Sequence, residues 1–195
     1  MPAANYKIGC ILMAAGNATR FESNKLTATF NGRSLFARAL DVIPQKAVYR
    51  VAVVTQYPEL AQSARARGFD VIRNEHPEAG LSHTIALGIG ALHDADALLF
   101  LVADQPLLRK QSVHNVLALH RANPAYIVSL AFGERRGNPC VFPRAFFPAL
   151  FSLTGDTGGS AVIKQNEDKL LLCYAQDGRE LHDVDTVEAL HALLR

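Results

Sequence analysis

The sequence predicts an α/β fold of three layers, in which a mostly parallel, twisted sheet carries helices on both of its faces. Apolar runs without helical spacing, such as residues 8–15 and 97–103, are typical of strands that are buried on both faces of a parallel sheet. Segments with helical spacing alternate with these runs, which favours parallel strands joined by right-handed crossovers. Ligands of such sheets bind outside the carboxyl ends of the strands.

The first half of the chain contains four predicted strands, at residues 8–15, 50–55, 69–72 and 97–103. Helices are expected between them at residues 34–43, 59–67 and 82–92. Pro44 and Gly68 mark the ends of the first two helices, because proline does not continue a helix and glycine favours the position that follows one.

The second half continues the alternation. Residues 111–121 place Val113, Val116, Leu117 and His120 on one face of an amphipathic helix. The other predicted elements are strands at 126–131 and 170–174 and helices at 146–153, 161–165 and 187–194. Residues 133–138 are expected to form a basic, glycine-rich loop. The loops near residues 16, 74, 104 and 133 all follow strands, so they can meet at one edge of the sheet.

The composition is that of an ordinary globular protein and predicts one domain, residues 1–195. Hydrophobic residues make up 49% of the chain, charged residues 19%, and the net charge is +2. The lysines and arginines are scattered, which argues against nucleic-acid binding. The sequence shows no membrane span and no signal peptide, so we expect a cytoplasmic protein. The three cysteines lie in apolar runs and are expected to be buried thiols.

The loop after the first strand is a candidate phosphate site. It opens at Gly16 and carries two cations, Arg20 and Lys25. A buried strand that ends in such a loop brings backbone N–H groups and positive charge to one point above the sheet. The loop matches neither a Walker A sequence nor G-x-G-x-x-G. The alternative is an ordinary turn with two solvated basic residues.

Asp104 is the most informative carboxylate, because it directly follows the apolar run 97–103 at the expected ligand-binding edge. Pro106 prevents the loop from turning straight into a helix. A hard cation such as Mg²⁺ would use this carboxylate together with phosphate and water oxygens. The alternative is a helix-capping or loop-stabilising aspartate.

Asp183 and Asp185 offer a second carboxylate source near the last predicted helix. Only one of them needs to face the site. The competing interpretation is an N-cap, because aspartate before Thr186 and an apolar helix suits that role equally well.

The histidines do not form a metal-binding pair by spacing, and G-x-S-x-G is absent. His83 could reach a ligand, whereas the other six histidines, His120 among them, are interpreted as surface or helix-face residues. Catalysis by a protein nucleophile is therefore the less favoured class.

Six short segments, taken in order, resemble the molybdenum-cofactor nucleotidyltransferases, which include cytidylyltransferases and molybdopterin-guanine dinucleotide synthases. They are residues 13–20 with Lys25, Asn74 with Gly80 and Ser82, and residues 103–106, 135–139, 155–158 and 183–186. The resemblance covers nearly the whole chain and is greatest to enzymes that attach CMP to molybdopterin. It implies a Rossmann-like fold of the nucleotide-diphospho-sugar transferase type.

The resemblance also implies roles for individual residues. The backbone of Ala14, Ala15 and Gly16 would hold the base and ribose of CTP, and Arg20 and Lys25 would bind its triphosphate. Asp104 would bind Mg²⁺ together with Asp183 or Asp185, and Arg20, Lys25 and Asp104 would form the catalytic group. Further nucleotide or substrate contacts are expected from Asn74, Gly80, Ser82, Gln105, Pro106, Arg136, Gly137, Asn138 and Pro139. The last four belong to a loop, residues 135–139, that would face the pterin.

Three residues depart from the family pattern: Glu22 replaces a usual glycine, His83 a small residue, and Ser160 an arginine. The resemblance implies Mg²⁺-dependent transfer of CMP from CTP to molybdopterin, with a recipient molybdoenzyme as a further partner. Alternatives are a guanylyltransferase using GTP, transfer to another phosphorylated acceptor, or a non-catalytic protein that carries the cofactor to a molybdoenzyme.

Ala15 generates a prediction about the choice of nucleotide. The resembling guanylyltransferases have glycine at this position, whereas cytidylyltransferases have alanine. One methyl group in a pocket discriminates by roughly 1–3 kcal/mol. We expect the protein to prefer CTP, and Ala15→Gly to narrow the preference without reversing it. Turnover with CTP, GTP and ATP at equal concentrations measures this, and a GTP preference of the unaltered protein would contradict it.

Overall fold

The computed structural model describes residues 6–16 and 24–193. In chain order the strands are β1 (Ile8–Ala14), β2 (Thr29–Phe30), β3 (Arg33–Ser34), β4 (Val51–Thr55), β5 (Asp70–Arg73), β6 (Ala97–Val102), β7 (Ile127–Phe132), β8 (Arg135–Pro143) and β9 (Leu170–Tyr174). The helices are α1 (Leu35–Val42), α2 (Pro58–Arg65), α3 (Leu81–Ala91), α4 (Lys110–Ala122), α5 (Phe147–Phe151), α6 (Gly159–Lys164) and α7 (Val187–Ala192).

A seven-stranded sheet organises the described residues, with the strand order β5-β4-β1-β6-β8-β7-β9. Strand β1 lies between β4 and β6 and is parallel to both, and only β8 runs antiparallel to its neighbours in the sheet. The predicted α/β class with a mostly parallel sheet is therefore confirmed.

Helices cover both faces of the sheet, which explains the uniformly apolar sequence of β1. Leu12 belongs to a core cluster that includes residues of α1, α2 and α4. Ile11 belongs to the cluster on the other face, which includes residues of α3, α5 and α6. Because successive side chains of a strand point to opposite faces, both sets must be apolar. Polar groups can follow only where the strand ends.

The prediction of a loop at residues 133–138 is wrong from Arg135 onward, because Arg135–Pro143 forms strand β8. Gly133, with φ of 57°, allows the chain to reverse within a short turn after β7. The pairing of β7 with β8 shifts register between Ser129 and Leu130. The exposed Arg135 and the glycine at position 137 hid this strand, since neither is typical of a buried strand.

The short hairpin of β2 and β3 was not predicted, although its sequence contains the signal. Asn31 and Gly32 have φ values of 48° and 74°, which suit the two central residues of a type I′ turn. Phe30 packs in a small cluster with Leu35, Val184 and Leu190. The hairpin therefore anchors the C-terminal segment that carries Asp183 and Asp185.

The structure also tests the predictions for the cysteines, for membrane-spanning helices and for His120. Cys10, Cys140 and Cys173 are free and buried, as expected. Within the described ranges, no helix is long and apolar enough to cross a membrane. His120 lies on the predicted helix face with Val113 and Leu117, and it is fully buried there, not at the surface. Tyr6 Oη lies 3.1 Å from its Nε2, and its Nδ1 lies 3.1 Å from the Tyr126 carbonyl oxygen.

His120 should make the stability of the protein depend on pH. Burial lowers the pKa of His120 to about 4, against an ordinary value of 6.5. Between pH 4 and pH 6.5 the unfolded chain binds more protons than the folded chain. The stability that the neutral, buried imidazole contributes is therefore present above pH 6.5 and is lost as the pH falls through 4. The loss amounts to roughly 3 kcal/mol. His120→Gln should flatten the dependence of the unfolding free energy on pH.

Urea denaturation at pH 7 and pH 4.5 measures this effect. His114 lies on the same helix and is exposed, so His114→Gln is the matched control and should keep the pH dependence of the unaltered protein. An unchanged pH dependence in His120→Gln would show that the imidazole is not the responsible group.

Candidate functional site

A cleft of about 530 Å³ opens at the carboxyl ends of β1 and β6. The loop that follows β1 forms one side, with Ala14, Ala15 and Gly16. Lys25 and Asp104 line the same cleft. Other lining residues are Met13, Leu26, Pro77, Glu78, Gly80, Leu81, Thr84, Val102, Ala103 and Asp156. The structure therefore brings together three of the four loops that were predicted to meet at this edge, those after β1, β5 and β6, whereas the loop near residue 133 does not line this cleft.

Side chains that follow the neighbouring strand β4 hold the start of the loop. The amide of Gln56 donates to the carbonyl oxygen of Ala15 at 2.9 Å. The hydroxyl of Tyr57 donates to the carbonyl oxygen of Gly16 at 3.0 Å. Sequence reasoning missed both residues, although they directly follow a buried parallel strand and so had to lie at the same edge.

Lys25 joins two carboxylates from distant parts of the chain. Its Nζ donates to Oδ2 of Asp104 at 2.8 Å and to Oδ1 of Asp185 at 3.1 Å. Desolvation by itself would lower the pKa of Lys25, but the two carboxylates outweigh it and raise the pKa. The lysine is therefore held as an ammonium between two negative charges.

Asp104 keeps one oxygen available. Its Oδ1 is buried and has no hydrogen-bond partner among the described residues. A buried carboxylate oxygen without a partner is costly, so it indicates a place for a ligand or a cation. The backbone carbonyl of Asp104 accepts from the N–H of Val184 at 2.9 Å, which ties this loop to the C-terminal segment.

Asp183 and Asp185 have different partners. Asp183 accepts a hydrogen bond from the Gln105 amide at 2.9 Å. Desolvation and then the nearby Asp104 raise the pKa of Asp183, with Asp185 acting in the same direction, while Gln105 and Arg135 oppose them. Asp185 is the one that contacts Lys25. It is therefore better placed than Asp183 to complete a site with Asp104.

The N-cap interpretation of these two aspartates is not what the structure shows. Thr186 caps α7, because its hydroxyl accepts from the N–H of Ala189 at 3.1 Å. Within the described residues, no group of three or more His, Cys, Asp or Glu side chains is arranged to hold a metal. A cation at Asp104 and Asp185 would therefore need further oxygens from a bound ligand or water.

A second cavity of about 180 Å³ adjoins the cleft. The two cavities share Met13, Leu81 and Val102, which form the boundary between them. The second cavity has apolar walls. The rings of Phe100 and Phe142 lie edge to face there, with their centroids 5.8 Å apart. Its polar lining residues are Ser129, Arg136, Asn138 and Ser160. The predicted residues Arg136, Gly137 and Asn138 thus line a cavity, at the start of β8 and not on a loop.

Five predicted contact residues are buried and line neither cavity: Asn74, Ser82, Gln105, Pro106 and Pro139. Asn74 supports the cleft wall, since it donates to Thr84 Oγ1 at 3.1 Å and accepts from the N–H of His76 at 2.9 Å. Their role in binding stays a prediction. Arg20 and Glu22 lie outside the described residues.

The sequence pattern of the family described as MobA-like NTP transferase domain matches residues 10–170, so the chain belongs to this family. The protein is therefore a nucleotidyltransferase, and the resemblance to the molybdenum-cofactor nucleotidyltransferases is confirmed. It is 29% identical to nicotine blue oxidoreductase of Paenarthrobacter nicotinovorans over 94% of this chain and 95% of the relative. It is 28% identical to purine catabolism protein PucB of Bacillus subtilis, over 94% and 93%.

Solved structures share the fold. Rv0371c of Mycobacterium tuberculosis H37Rv superposes with a TM-score of 0.81 at 22% identity, covering 96% of this chain and 98% of that one. The same protein has been solved in complex with manganese. A CMP:2-keto-3-deoxy-manno-octonic acid synthetase complexed with CTP gives a TM-score of 0.67 at 17% identity, with 96% of each chain covered.

Gly80 provides a test of how the cleft wall is built. With φ of 88°, it lies so close to residue 155 that an added Cβ would come within 2.4 Å of the Gly155 carbonyl carbon. We expect Gly80→Ala to destabilise the protein by roughly 1–3 kcal/mol and to weaken nucleotide binding, because backbone must move.

Denaturant unfolding and nucleotide titration measure these two effects. Gly90 lies on α3, is exposed, and has no atom within 4 Å of an added Cβ. Gly90→Ala should therefore keep nucleotide affinity and stabilise the helix by about 0.5–1 kcal/mol. Equal stability and affinity for the two alanine variants would refute the assigned contact.

Proposed function

We propose that this nucleotidyltransferase transfers CMP from CTP to the terminal phosphate of molybdopterin and releases pyrophosphate. Two adjoining cavities, which share Met13, Leu81 and Val102, support this proposal. One holds a lysine between two carboxylates, and the other combines apolar walls with Arg136 and Asn138. Such a pair can hold a nucleotide donor and a ring-bearing acceptor side by side.

The chemistry needs positioning and charge neutralisation. An oxygen of the acceptor phosphate attacks the α-phosphorus of CTP, a new P–O bond forms, and the bond to the bridging oxygen breaks to release pyrophosphate. No covalent protein intermediate is required, because proximity and electrostatic stabilisation supply most of the acceleration of such transfers. Lys25, which lines the donor cleft, would neutralise charge on the triphosphate.

The carboxylates fit a divalent cation, which we propose to be Mg²⁺. Asp104 offers the buried Oδ1 that has no partner, and Asp185 lies on the other side of the same ammonium. Two carboxylates with phosphate and water oxygens are the donor set that Mg²⁺ prefers. When bound, the cation would neutralise phosphate charge in the donor cleft.

The second cavity suits the acceptor. The rings of Phe100 and Phe142 and the surrounding aliphatic side chains can cover a flat heteroaromatic ring, while Arg136 and Asn138 supply polar contacts for its edges or its phosphate. This arrangement supports molybdopterin as the acceptor, since it joins a pterin to a phosphate. A recipient molybdoenzyme would then take up the product.

Pyrophosphate release tests the reaction. Purified protein should release it from CTP only when molybdopterin and Mg²⁺ are both present, and more slowly from GTP and ATP. Binding of molybdopterin without release from any nucleotide would favour a cofactor carrier. Because one relative is named an oxidoreductase, the same protein should also be assayed for reduction of nicotine blue by NADH or NADPH. The loop after β1 has no G-x-G-x-x-G sequence, so we expect no such activity.

Asp104→Asn should lower CTP turnover by at least about a hundredfold, because it keeps the shape of the side chain and removes the charge at the proposed cation site. Single-turnover kinetics at saturating Mg²⁺ measures the loss. Asp168→Asn is the control, since Asp168 is highly exposed beside Lys169 and lines neither cavity. Near-normal turnover of a folded Asp104→Asn protein would refute the role assigned to Asp104.

A further inference from the structure

Lys25 already contacts one oxygen of each carboxylate that a divalent cation would use. Its ammonium contacts Oδ2 of Asp104 at 2.8 Å and Oδ1 of Asp185 at 3.1 Å, so it engages one oxygen of each proposed ligand. The side chain is only 16% exposed, and it lines the cleft beside the loop that follows β1. In this arrangement the lysine occupies the position between the two carboxylates that the proposed cation would take.

We propose that Lys25 is a gate that keeps the divalent cation out of the nucleotide-free cleft and admits it together with the nucleoside triphosphate. The inference rests on the cation site proposed above, at Asp104 and Asp185. It assigns to this lysine a control over the order of binding, in addition to its contact with phosphate.

Competition is the physical basis of the gate. A cation that arrives alone must displace an ammonium from both carboxylates, and the two positive groups repel each other across a few ångströms. Oδ1 of Asp183 already accepts a hydrogen bond from Gln105. Oδ1 of Asp104 and Oε1 of Gln105 are buried and have no hydrogen-bond partner among the described residues.

A triphosphate in the cleft would remove this barrier. Lys25 lines the same cavity as Ala14, Ala15 and Gly16, so anionic phosphate oxygens bound there would lie within reach of the ammonium. As the ammonium moves to phosphate, Oδ2 of Asp104 and Oδ1 of Asp185 become free for the cation. Nucleotide and cation must then raise each other's affinity by the same factor.

Manganese binding to the nucleotide-free protein tests the gate directly, with the signal of free Mn²⁺ in electron paramagnetic resonance as the readout. Lys25→Met removes the competing charge and should tighten Mn²⁺ binding at least about tenfold. Lys25→Arg retains the charge and should bind as weakly as the unaltered protein. Lys7→Met is the control, because Lys7 pairs with Asp94 at 3.4 Å, lies just before β1, and lines neither cavity. Its Mn²⁺ affinity should not change.

A double substitution tests whether the tighter Mn²⁺ site expected in Lys25→Met lies at Asp104. Lys25→Met combined with Asp104→Asn should lose the tight Mn²⁺ binding, because it removes the carboxylate that the lysine had covered. Circular dichroism confirms folding, and Lys25→Gln replaces Lys25→Met if the latter does not fold. Mn²⁺ binding in a folded Met or Gln variant that is no tighter than in the unaltered protein would overturn the proposal.

The coupling between ligands gives a second readout. In the unaltered protein, Mn²⁺ should strongly increase the affinity for α,β-methylene-CTP, and Lys25→Met should reduce this increase at least about fivefold, by linkage. The Mn²⁺ titration contains neither CTP nor acceptor. An absence of CTP turnover would therefore count against the proposed function alone, and an absence of tighter Mn²⁺ binding would count against the gate alone.

Discussion

Strand β1 is buried on both of its faces, and this burial determines where polar groups can lie. This strand pairs with a parallel strand on each side and lies under helices on both faces. No polar side chain can be placed along it without a large cost, so its chemistry is confined to the loop at its carboxyl end. The neighbouring strands β4 and β6 end at the same edge. Gln56, Tyr57 and Asp104 therefore reach the point where β1 delivers Ala15 and Gly16.

Electrostatic balance determines what that edge can do. Asp104, Asp183 and Asp185 lie near one another. Desolvation, and then repulsion by Asp104 and Asp185, raise the pKa of Asp183. Lys25 relieves part of this charge by bridging two of them. The proposed cation would replace this ammonium at the two carboxylates. Such an exchange is useful in an enzyme whose substrate is itself a polyanion.

The C-terminal segment owes its position to contacts from other parts of the chain. Leu181 is buried and its carbonyl oxygen accepts from Arg135, Val184 donates to the backbone of Asp104, and Glu180 accepts from the N–H of Arg109 at the start of α4. These contacts place Asp185 opposite Asp104, although 80 residues of sequence lie between them. The candidate cleft therefore depends on contacts between distant segments of the chain.

The sequence alone predicts the α/β class, the central strand and the position of Asp104. These features depend on the length and apolarity of buried strands, and such patterns are local. It also indicated the hairpin at Asn31 and Gly32, although that signal was overlooked. Strand β8 was partly hidden, because an exposed arginine and a glycine interrupt the pattern of a buried strand.

Other features of the site depend on contacts between residues that are distant in the sequence, and the tertiary structure is needed to see them. It selected Asp185 over Asp183 as the partner of Lys25, assigned the N-cap of α7 to Thr186, and turned Asn74 into a support for the cleft wall. It buried His120 against Tyr6, more than a hundred residues earlier in the chain. Each of these outcomes depends on which distant group lies within about 3 Å of a given atom. Strand order and loop packing set that distance, and residue type and local spacing do not encode it.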